Sequence, residues 1–282
     1  MYVSERVRVN ARFAPDFEIA QHVFQYAAEI KKKLVMEAGC VGVKLEARFS
    51  RVRTEETNLG NFVADLIRTH WNTDIGLTNG GGLRANQVIP KGPITWRLVS
   101  QILPMQDPVI KLKMKGSLIK DVLENAVGAW PKMDGRWPVT SGLSFQFDPA
   151  RPKGDRIKPE SMVMLDGSPF DMNHIYSLAV TQYMASGKDG FEAFLDEGVH
   201  RVSQSDEDED IRNILSEFLY KLQKTEEALD KENKHVQQIL QQRMTVFNTD
   251  ITRRCQESQC IKFYPKVEGR IVNLAPPIQH ED

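Results

Sequence analysis

Apolar residues recur at helical spacing in several stretches of the chain. The first stretch follows Asp16, a natural N-cap, and predicts an amphipathic helix through residues 17–34. Further helices are predicted after Thr57 or Asn58, in a short segment that Pro104 ends, over residues 116–130 and from Ile211 onward. The last of these continues into a much more polar sequence, which we expect to be exposed.

Other stretches alternate between apolar and polar residues, as strands with one buried face do. In VIKLKM, Ile110, Leu112 and Met114 fall on one face and the lysines on the other. Short strands are also predicted in VGVKLEARFSRVR, SGLSFQFD, DRIKPE, SMVML, HIYSLAVTQYM and KFYPKVEGRIVNL. Because helices and strands follow one another in irregular order, the pattern predicts an α+β layered domain and not a regular βαβ repeat.

The sequence LTNGGGLRANQVIPKG, residues 77–92, interrupts this pattern with three consecutive glycines between Asn79 and Arg84. Such a run occurs where the backbone needs a positive φ or must pass very close to another group. One interpretation is a tight surface loop; the other is a bare backbone surface that a ligand approaches. Residues 86–92 read as extended chain, so we do not expect an anion site of the helix N-terminus type here.

Composition and charge narrow the class of protein. The 282 residues include 37 basic and 38 acidic side chains, so no global field favours a nucleic acid partner. No apolar run reaches membrane-spanning length, and the N-terminus lacks the pattern of a signal peptide, so the chain as written is expected to be cytoplasmic. Cys40, Cys255 and Cys260 lack zinc-site spacing and are expected to be thiols, with a Cys255–Cys260 bridge as the alternative.

The motifs of a self-sufficient hydrolase are missing from the sequence. The six histidines are scattered, without His-x-His, Asp-x-His or His-Glu-x-x-His spacing, and each is expected to be an ordinary surface or packed residue. Neither a Gly-x-Ser-x-Gly elbow nor a Gly-x-x-x-x-Gly-Lys-Ser/Thr phosphate loop is present. We therefore predict no catalytic residue and no metal ligand in this chain.

Binding residues, in contrast, are numerous. Arginine forks suit phosphate oxygens, a tyrosine ring opposite a polarisable thioether suits a heterocycle, and a carboxylate suits paired ribose hydroxyls. Taken singly, each residue of this kind is more typical of a surface ion pair, a core position or a turn than of a binding site. The candidates, in chain order, are Arg53, Asn79, Gly82, Arg84, Met105, Tyr183 and Asp189.

The segments that carry these residues resemble, in the same order, the C-terminal substrate-binding domain of the 5′-nucleotidase family. The resemblance runs from about Leu45 to Phe194 and includes RTEETNLGNFVADLIR, LTNGGGLRANQVIPKGPIT, LKMKGSLIKDVLENAV and GKDGF. It implies a four-layer α/β/β/α domain over residues 45–204. Residues 1–44 would be an arm and an interdomain-type connector helix, and residues 205–282 an acidic, helical extension with a closing segment.

The resemblance also implies roles for single residues. Arg53 and Arg84 would reach phosphate or ribose, Asn79 the base or its surroundings, and Asp189 the ribose hydroxyls. Tyr183 stands at one of the family's two stacking aromatic positions. Two positions depart from the family pattern. Met105 replaces the second aromatic residue, and Lys188 stands where many members have glycine.

The family's N-terminal half is the part to which the resemblance assigns catalysis. That half holds two divalent metals and a catalytic His-Asp pair on Asp-x-His, Gly-Asp and Gly-Asn-His motifs. Neither Asp-x-His nor Gly-Asn-His occurs in this sequence, and its one Gly-Asp pair, Gly154-Asp155, belongs to the GDRI segment of the C-terminal resemblance. We therefore expect a truncated product or a domain left by gene fission. It would bind an AMP-like or adenosine-like ligand and be inactive without a metallophosphoesterase domain in cis or in trans. The alternatives are a stand-alone nucleoside-binding module and a scaffold.

Overall fold

A computed structural model describes residues 12–229 and 262–275, together with Arg6, Arg8 and Asn10. The chain divides into two units, Met1–Met36 and Glu37–Asp282. Of the three cysteines, Cys40 is buried, whereas Cys255 and Cys260 lie outside the described residues. Among the described helices, none is long and apolar enough to cross a membrane.

The helices confirm most of the sequence pattern. Within the described residues they are α1 Phe17–Leu34, α2 Phe49–Val52, α3 Asn58–Trp71, α4 Trp96–Ile102, α5 Gly116–Val127, α6 Gln182–Ala185 and α7 Ile211–Leu229. Asp16 caps α1 by accepting a hydrogen bond from the Ile19 amide, and Thr57 caps α3 by accepting one from the Gly60 amide. No side chain of α1 is buried.

The strands are short and belong to several sheets. In chain order they are β1 Glu37–Val41, β2 Leu45–Glu46, β3 Ile75–Asn79, β4 Val88–Ile89, β5 Gly92–Thr95, β6 Pro108–Lys115, β7 Pro138–Ser141, β8 Leu143–Phe147, β9 Val163–Met164, β10 Ile175–Thr181, β11 His200–Arg201, β12 Glu209–Asp210, β13 Lys262–Phe263 and β14 Ile271–Asn273. Smaller sheets have the orders β13-β1-β5, β14-β8-β9 and β2-β4.

A six-stranded sheet with the order β11-β6-β10-β3-β7, in which β12 also pairs with β6, is the centre of the larger unit. Strands β3 and β10 are parallel, whereas β6 and β7 run antiparallel to their neighbours. Both faces of this sheet are covered: Leu178 and Val180 join a core that includes α5, and Ala179 joins a second core that includes α3, α4 and α7. Because successive side chains of a strand point to opposite faces, Leu178, Ala179 and Val180 in β10 are all apolar.

The closing segment, residues 262–275, pairs with the rest of the larger unit through both of its strands. Strand β13 pairs with β1, and Phe263 stacks on Phe62 of α3 with ring centroids 4.7 Å apart. Strand β14 pairs with β8, and beside it the guanidinium of Arg270 donates to Asp65 Oδ2 (2.8 Å) and to the Thr140 carbonyl (2.8 Å). Between the two strands the chain turns at Glu268-Gly269, with Gly269 at φ 77°.

Two strand predictions are wrong. Residues 49–52 form a helical turn because the Arg48 carbonyl accepts hydrogen bonds from the Arg51 and Val52 amides, while the Phe49 amide is satisfied by Asn86 Oδ1 (2.9 Å). In DRIKPE, pairing is limited to an isolated bridge at Ile157, and residues 159–161 form a 3-10 turn. The first error matters for the site because this turn leads directly into Arg53.

Candidate functional site

A cavity of about 620 Å³ opens at one edge of the central sheet. Strands β3 and β10 are parallel and both end at this edge, whereas the antiparallel β6 and β7 begin there. The loops that follow or precede these strands therefore meet, as they do in many sheets with ligand sites at the carboxyl ends of the strands. The lining residues are Arg53, Thr78, Asn79, Gly81, Gly82, Arg84, Leu103, Met105, Gln106, Asp107, Gly135, Thr181, Gln182, Tyr183, Ser186, Lys188, Asp189 and Ile211.

The glycine run forms a 3-10 turn, Gly80–Gly82, directly after β3. None of these three glycines has a positive φ, so close approach is the reason for the run. A Cβ on Gly80 would lie 2.0 Å from the Val52 carbonyl oxygen, and one on Gly81 would lie 3.0 Å from the Gly135 backbone. Gly82 has open space around its Cα and faces the cavity.

Arg53 and Arg84 bring two positive charges to the same wall. Burial lowers the pKa of Arg53, and the nearby charge of Arg84 lowers it further, against a smaller opposing effect of Asp134. Among the described residues, the buried Nε of Arg53 has no hydrogen-bond acceptor. An anion between the two guanidinium groups would relieve their repulsion and accept this unused hydrogen bond.

Asn79 is 7% exposed, and its side chain has a structural partner. Its Nδ2 donates to the Gly135 carbonyl (2.9 Å), and the Gly81 amide donates to the same oxygen (2.8 Å). The amide of Gly80 donates to the Trp137 carbonyl (2.8 Å). These bonds fix the loop before β7 against the glycine turn, so Asn79 shapes the cavity wall as well as lining it.

Tyr183 lies in the first turn of α6, two residues past the end of β10, and not within the strand. The hydroxyl of Thr181 caps this turn, and the Tyr183 amide donates to Asp107 Oδ1 (3.0 Å). The Lys188 ammonium lies 5.2 Å from the centroid of the Tyr183 ring. Met105 is 50% exposed in the same cavity, so its thioether is accessible to a ligand.

Asp189 has a left-handed backbone, at φ 55° and ψ 25°, between Gly187 and Gly190, whose φ values are 77° and 78°. This conformation is uncommon for a residue with a side chain, and its cost is typical of functional loops. The Asp189 carbonyl accepts a hydrogen bond from Asn125 Nδ2 (3.1 Å). Two effects raise the pKa of the Tyr183 hydroxyl. Burial is the larger, and the hydrogen bond to the Asp189 carboxylate is the next.

All seven residues selected from the sequence line this one cavity. The sequence did not single out Asp107. Burial raises the pKa of its carboxyl group, although hydrogen bonds from the Tyr183 amide and the Thr181 hydroxyl oppose the increase. The sequence also missed Gly135 and Ile211, which come from loops and elements far away in the chain. Asp107 directly precedes β6, and the antiparallel pairing of β6 with β10, which the sequence does not show, brings it to the edge where β10 ends.

The lining residues do not fit a two-metal catalytic centre. They include no histidine and no cysteine, and their carboxylates are Asp107 and Asp189. Such a centre needs several imidazole and carboxylate ligands around each ion. The arrangement can therefore bind a molecule that combines an anionic group, hydroxyls and a flat ring, but its own residues do not supply metal-assisted hydrolysis.

A protein-family model described as "5'-nucleotidase, C-terminal domain" matches residues 37–196, more than half of the chain. The chain belongs to the 5′-nucleotidase C-terminal domain family. The resemblance read from the sequence motifs is thus confirmed, and the cavity lies within the matched residues except for Ile211. The limits 1–44, 45–204 and 205–282 and the roles of single residues stay predictions.

Relatives of this chain occur in organisms as different as a bacterium and a mammal. The chain is 29% identical over 183 residues to the trifunctional nucleotide phosphoesterase protein YfkN of Bacillus subtilis (strain 168), covering 63% of this chain and 12% of that protein. To the 5′-nucleotidase of Homo sapiens it is 24% identical over 232 residues, covering 77% and 40%. The chain therefore spans less than half the length of either relative.

A solved structure shows the same fold. The 5′-nucleotidase precursor from Thermus thermophilus superimposes with a TM-score of 0.68 at 26% identity, covering 94% of this chain and 45% of that one. The mixed α/β fold class predicted from the sequence is confirmed.

Proposed function

We propose that this chain is the substrate-binding part of a 5′-nucleotidase-type hydrolase and that its cavity holds a nucleotide or a nucleoside. The observation that carries the proposal is the convergence of Arg53, Arg84, Tyr183 and Asp189 on one cavity of about 620 Å³. These residues come from three separate segments of the chain, and together they offer chemistry suited to the phosphate, the ribose and the base of a nucleotide. The relatives named nucleotide phosphoesterase and 5′-nucleotidase support the same substrate class.

In the proposed complex the two guanidinium groups bind phosphate oxygens. Arginine suits this role because its fork bonds in parallel pairs and keeps its charge. The half-buried carboxylate of Asp189 accepts hydrogen bonds from the ribose hydroxyls, and its left-handed backbone holds it at the cavity. The bare backbone at Gly82 lets the ligand approach more closely than a side chain there would allow.

The base would lie between the ring of Tyr183 and the thioether of Met105. Stacking of a base on an aromatic side chain is worth about 1–3 kcal/mol, whereas a thioether offers a softer and less directional surface. Two aromatic rings would hold the base more tightly, so this cavity is expected to discriminate less strongly among bases. Lys188 adds a positive charge beside Tyr183.

Hydrolysis of the phosphate ester is assigned to a separate metallophosphoesterase domain, in cis or in trans. That domain would supply two divalent metals and the attacking water, while this chain positions the substrate. The composition of the cavity supports the division, because its lining contains neither histidine nor cysteine. The overall reaction would be dephosphorylation of a nucleotide.

Isothermal titration calorimetry of the purified chain with AMP and with adenosine tests binding. We expect both to bind, with Arg84→Ala weakening AMP more than adenosine and Tyr183→Ala weakening both by about tenfold or more. Arg97→Ala is the matched control, since Arg97 is exposed on α4 and outside the cavity lining. Absence of binding by both ligands contradicts the proposal.

A phosphate-release assay with AMP and added Mn²⁺ or Zn²⁺ tests the location of catalysis. We expect no hydrolysis above background from this chain. Metal-dependent phosphate release that disappears in Arg84→Ala would show that the chain has catalytic residues of its own, and the assignment of catalysis to a second domain would then be wrong.

A further inference from the structure

Three side chains with metal-binding atoms converge away from the cavity lining: His70, Glu209 and Glu217. Glu209 Oε2 lies 3.3 Å from His70 Nε2, and Glu217 Oε2 lies 3.7 Å from His70 Nδ1. One donor atom from each of the three residues falls within 4.8 Å of the other two. The residues are 8 to 147 positions apart in sequence, which is why spacing motifs do not reveal them.

The three residues project from elements that are tied to the core. His70 is in the last turn of α3, and Glu217 is in the second turn of α7. The two helices contact each other through Phe62 and Phe218, whose ring centroids are 5.4 Å apart. Glu209 belongs to β12, which pairs with β6 of the central sheet. The backbone positions of the cluster are therefore set by packing, as a preorganised ligand site requires.

Two ammonium groups already lie beside the cluster, so its surroundings attract cations. His70 lies at the C-terminal end of α3, where the helix dipole is negative, and Lys111 Nζ already donates to the carbonyls of Trp71 (3.1 Å) and Asn72 (3.4 Å). Lys221 Nζ pairs with Oε1 of Glu217 at 2.6 Å, which leaves Oε2 of that carboxylate toward His70. Residues 205–210, SDEDED, place further acidic residues next to Glu209 in the sequence, of which Asp208 pairs with Arg201.

We propose that His70, Glu209 and Glu217 bind a divalent transition-metal ion, with Zn²⁺ as the preferred occupant. An imidazole with two carboxylates provides three protein ligands and leaves a tetrahedral position for water. The imidazole distinguishes the site from the all-oxygen sites that Mg²⁺ and Ca²⁺ prefer. One ion can use only one nitrogen of the imidazole, whereas the two carboxylates now face different ring nitrogens. Donor atoms around tetrahedral zinc are about 3.4 Å apart, so side-chain rotations must bring the three donor atoms, which lie within 4.8 Å of one another, about 1 Å closer together.

Occupation of this site would connect the end of α3 to the segment that enters α7. Glu209 is two residues before Ile211, which lines the cavity, and β12 pairs with Val109 and Pro108 directly after the cavity residue Asp107. The ion would thus hold one wall of the cavity to the end of α3. The proposal does not rest on nucleotide binding and can be tested without any nucleotide.

The test is calorimetric titration of tag-free chain with ZnCl₂, paired with thermal unfolding in zinc and in EDTA. Because thiols also bind zinc, the background is a Cys255→Ser, Cys260→Ser chain. We expect one Zn²⁺ per chain and a higher Tm in zinc, because an ion that binds the folded state stabilises it. In His70→Ala the affinity should fall at least tenfold and the Tm increase should be lost, with a similar loss in Glu217→Gln.

His22→Ala is the matched control, since it removes an exposed imidazole from α1 and should leave zinc affinity unchanged. The Tm values in EDTA show whether each variant folds, and Glu217→Gln gives a second reading if His70→Ala is unstable. Equal zinc affinity in His70→Ala and the parent chain, or no zinc binding by the parent, overturns the proposal. So does Mg²⁺ binding as tightly as Zn²⁺, because an imidazole ligand would then have no role.

Discussion

Gly80 packs directly against the turn that carries the cavity residue Arg53. Gly80→Ala is therefore the most direct test of how the cavity is built. The added methyl group would lie 2.0 Å from the carbonyl oxygen of Val52 and 3.6 Å from the Cα of Arg53. Ordinary contacts between carbon and a carbonyl oxygen begin at about 3.3 Å, so the two segments must separate by about 1.3 Å. Both segments are backbone, so the clash cannot be relieved by rotating a side chain.

The expected cost has two components. Overpacking of a well-packed interior typically destabilises a protein by about 1–3 kcal/mol, and because this clash is between backbone atoms we expect about 2–3 kcal/mol. The turn that must move carries Arg53, so its guanidinium shifts relative to Arg84 by about 1 Å. A shift of that size should weaken AMP binding by about tenfold or more, equivalent to at least about 1.4 kcal/mol.

Gly82→Ala is the matched variant because it makes the same chemical change two residues away. No atom lies within 4 Å of its added methyl group, and its φ is not positive, so the free energy of unfolding should change by less than about 0.5 kcal/mol. Since Gly82 lines the cavity, AMP binding should nevertheless weaken if a ligand approaches the backbone there.

Urea unfolding followed by circular dichroism measures the stability difference, and calorimetry with AMP measures binding. Equal stability of Gly80→Ala and the parent chain would refute the argument that close packing against Val52 requires glycine. Unchanged AMP affinity in both variants would refute the role of the glycine turn in the ligand site while leaving the packing argument intact.

Removing Arg270 (Arg270→Met) leaves the 8%-exposed side chain of Asp65 without its ionic partner and should cost about 3–5 kcal/mol in urea unfolding, whereas Asp65→Leu combined with Arg270→Met should recover much of that loss. Burial raises the pKa of Asp65, and Arg270 opposes the increase. Without Arg270 the folded-state pKa rises further above the unfolded value, so the deficit in stability should be greatest at neutral pH and shrink as acid protonates Asp65. A deficit that grows with acid would contradict this assignment. Met105→Phe should tighten adenosine binding by about 1 kcal/mol in calorimetry without changing stability, because the side chain is half exposed; a weaker complex would place the base elsewhere.

Local features of the fold could be predicted from the sequence alone. Helices α1 and α3 begin after Asp16 and Thr57 because these caps and the spacing of apolar residues depend only on neighbours in the chain. The alternation in β6 likewise identified its buried face. The segment around Phe49 was misread because its helical turn is capped by Asn86, which is 37 residues away.

The seven candidate binding residues were selected through motifs and a family resemblance, not through spacing. Nothing in the residues between Arg53 and Asp189 indicates that these two side chains share a cavity. Their convergence depends on the parallel pairing of β3 with β10, which places the ends of both strands at the same edge. Asp107, Gly135 and Ile211 were missed for the same reason, since they come to that edge through other strands and helices.

The sequence by itself determined the local elements, the family and the chemical character of the candidate site, because each follows from residue types and their near neighbours. Tertiary structure alone decided that the glycine run serves close packing and not positive φ, since the Val52 carbonyl that excludes a side chain comes from another turn. It also brought His70 to Glu209 and Glu217, because metal-ligating distances depend on how helices and strands pack. Contacts between distant segments are set by the shared core, and no local pattern encodes them.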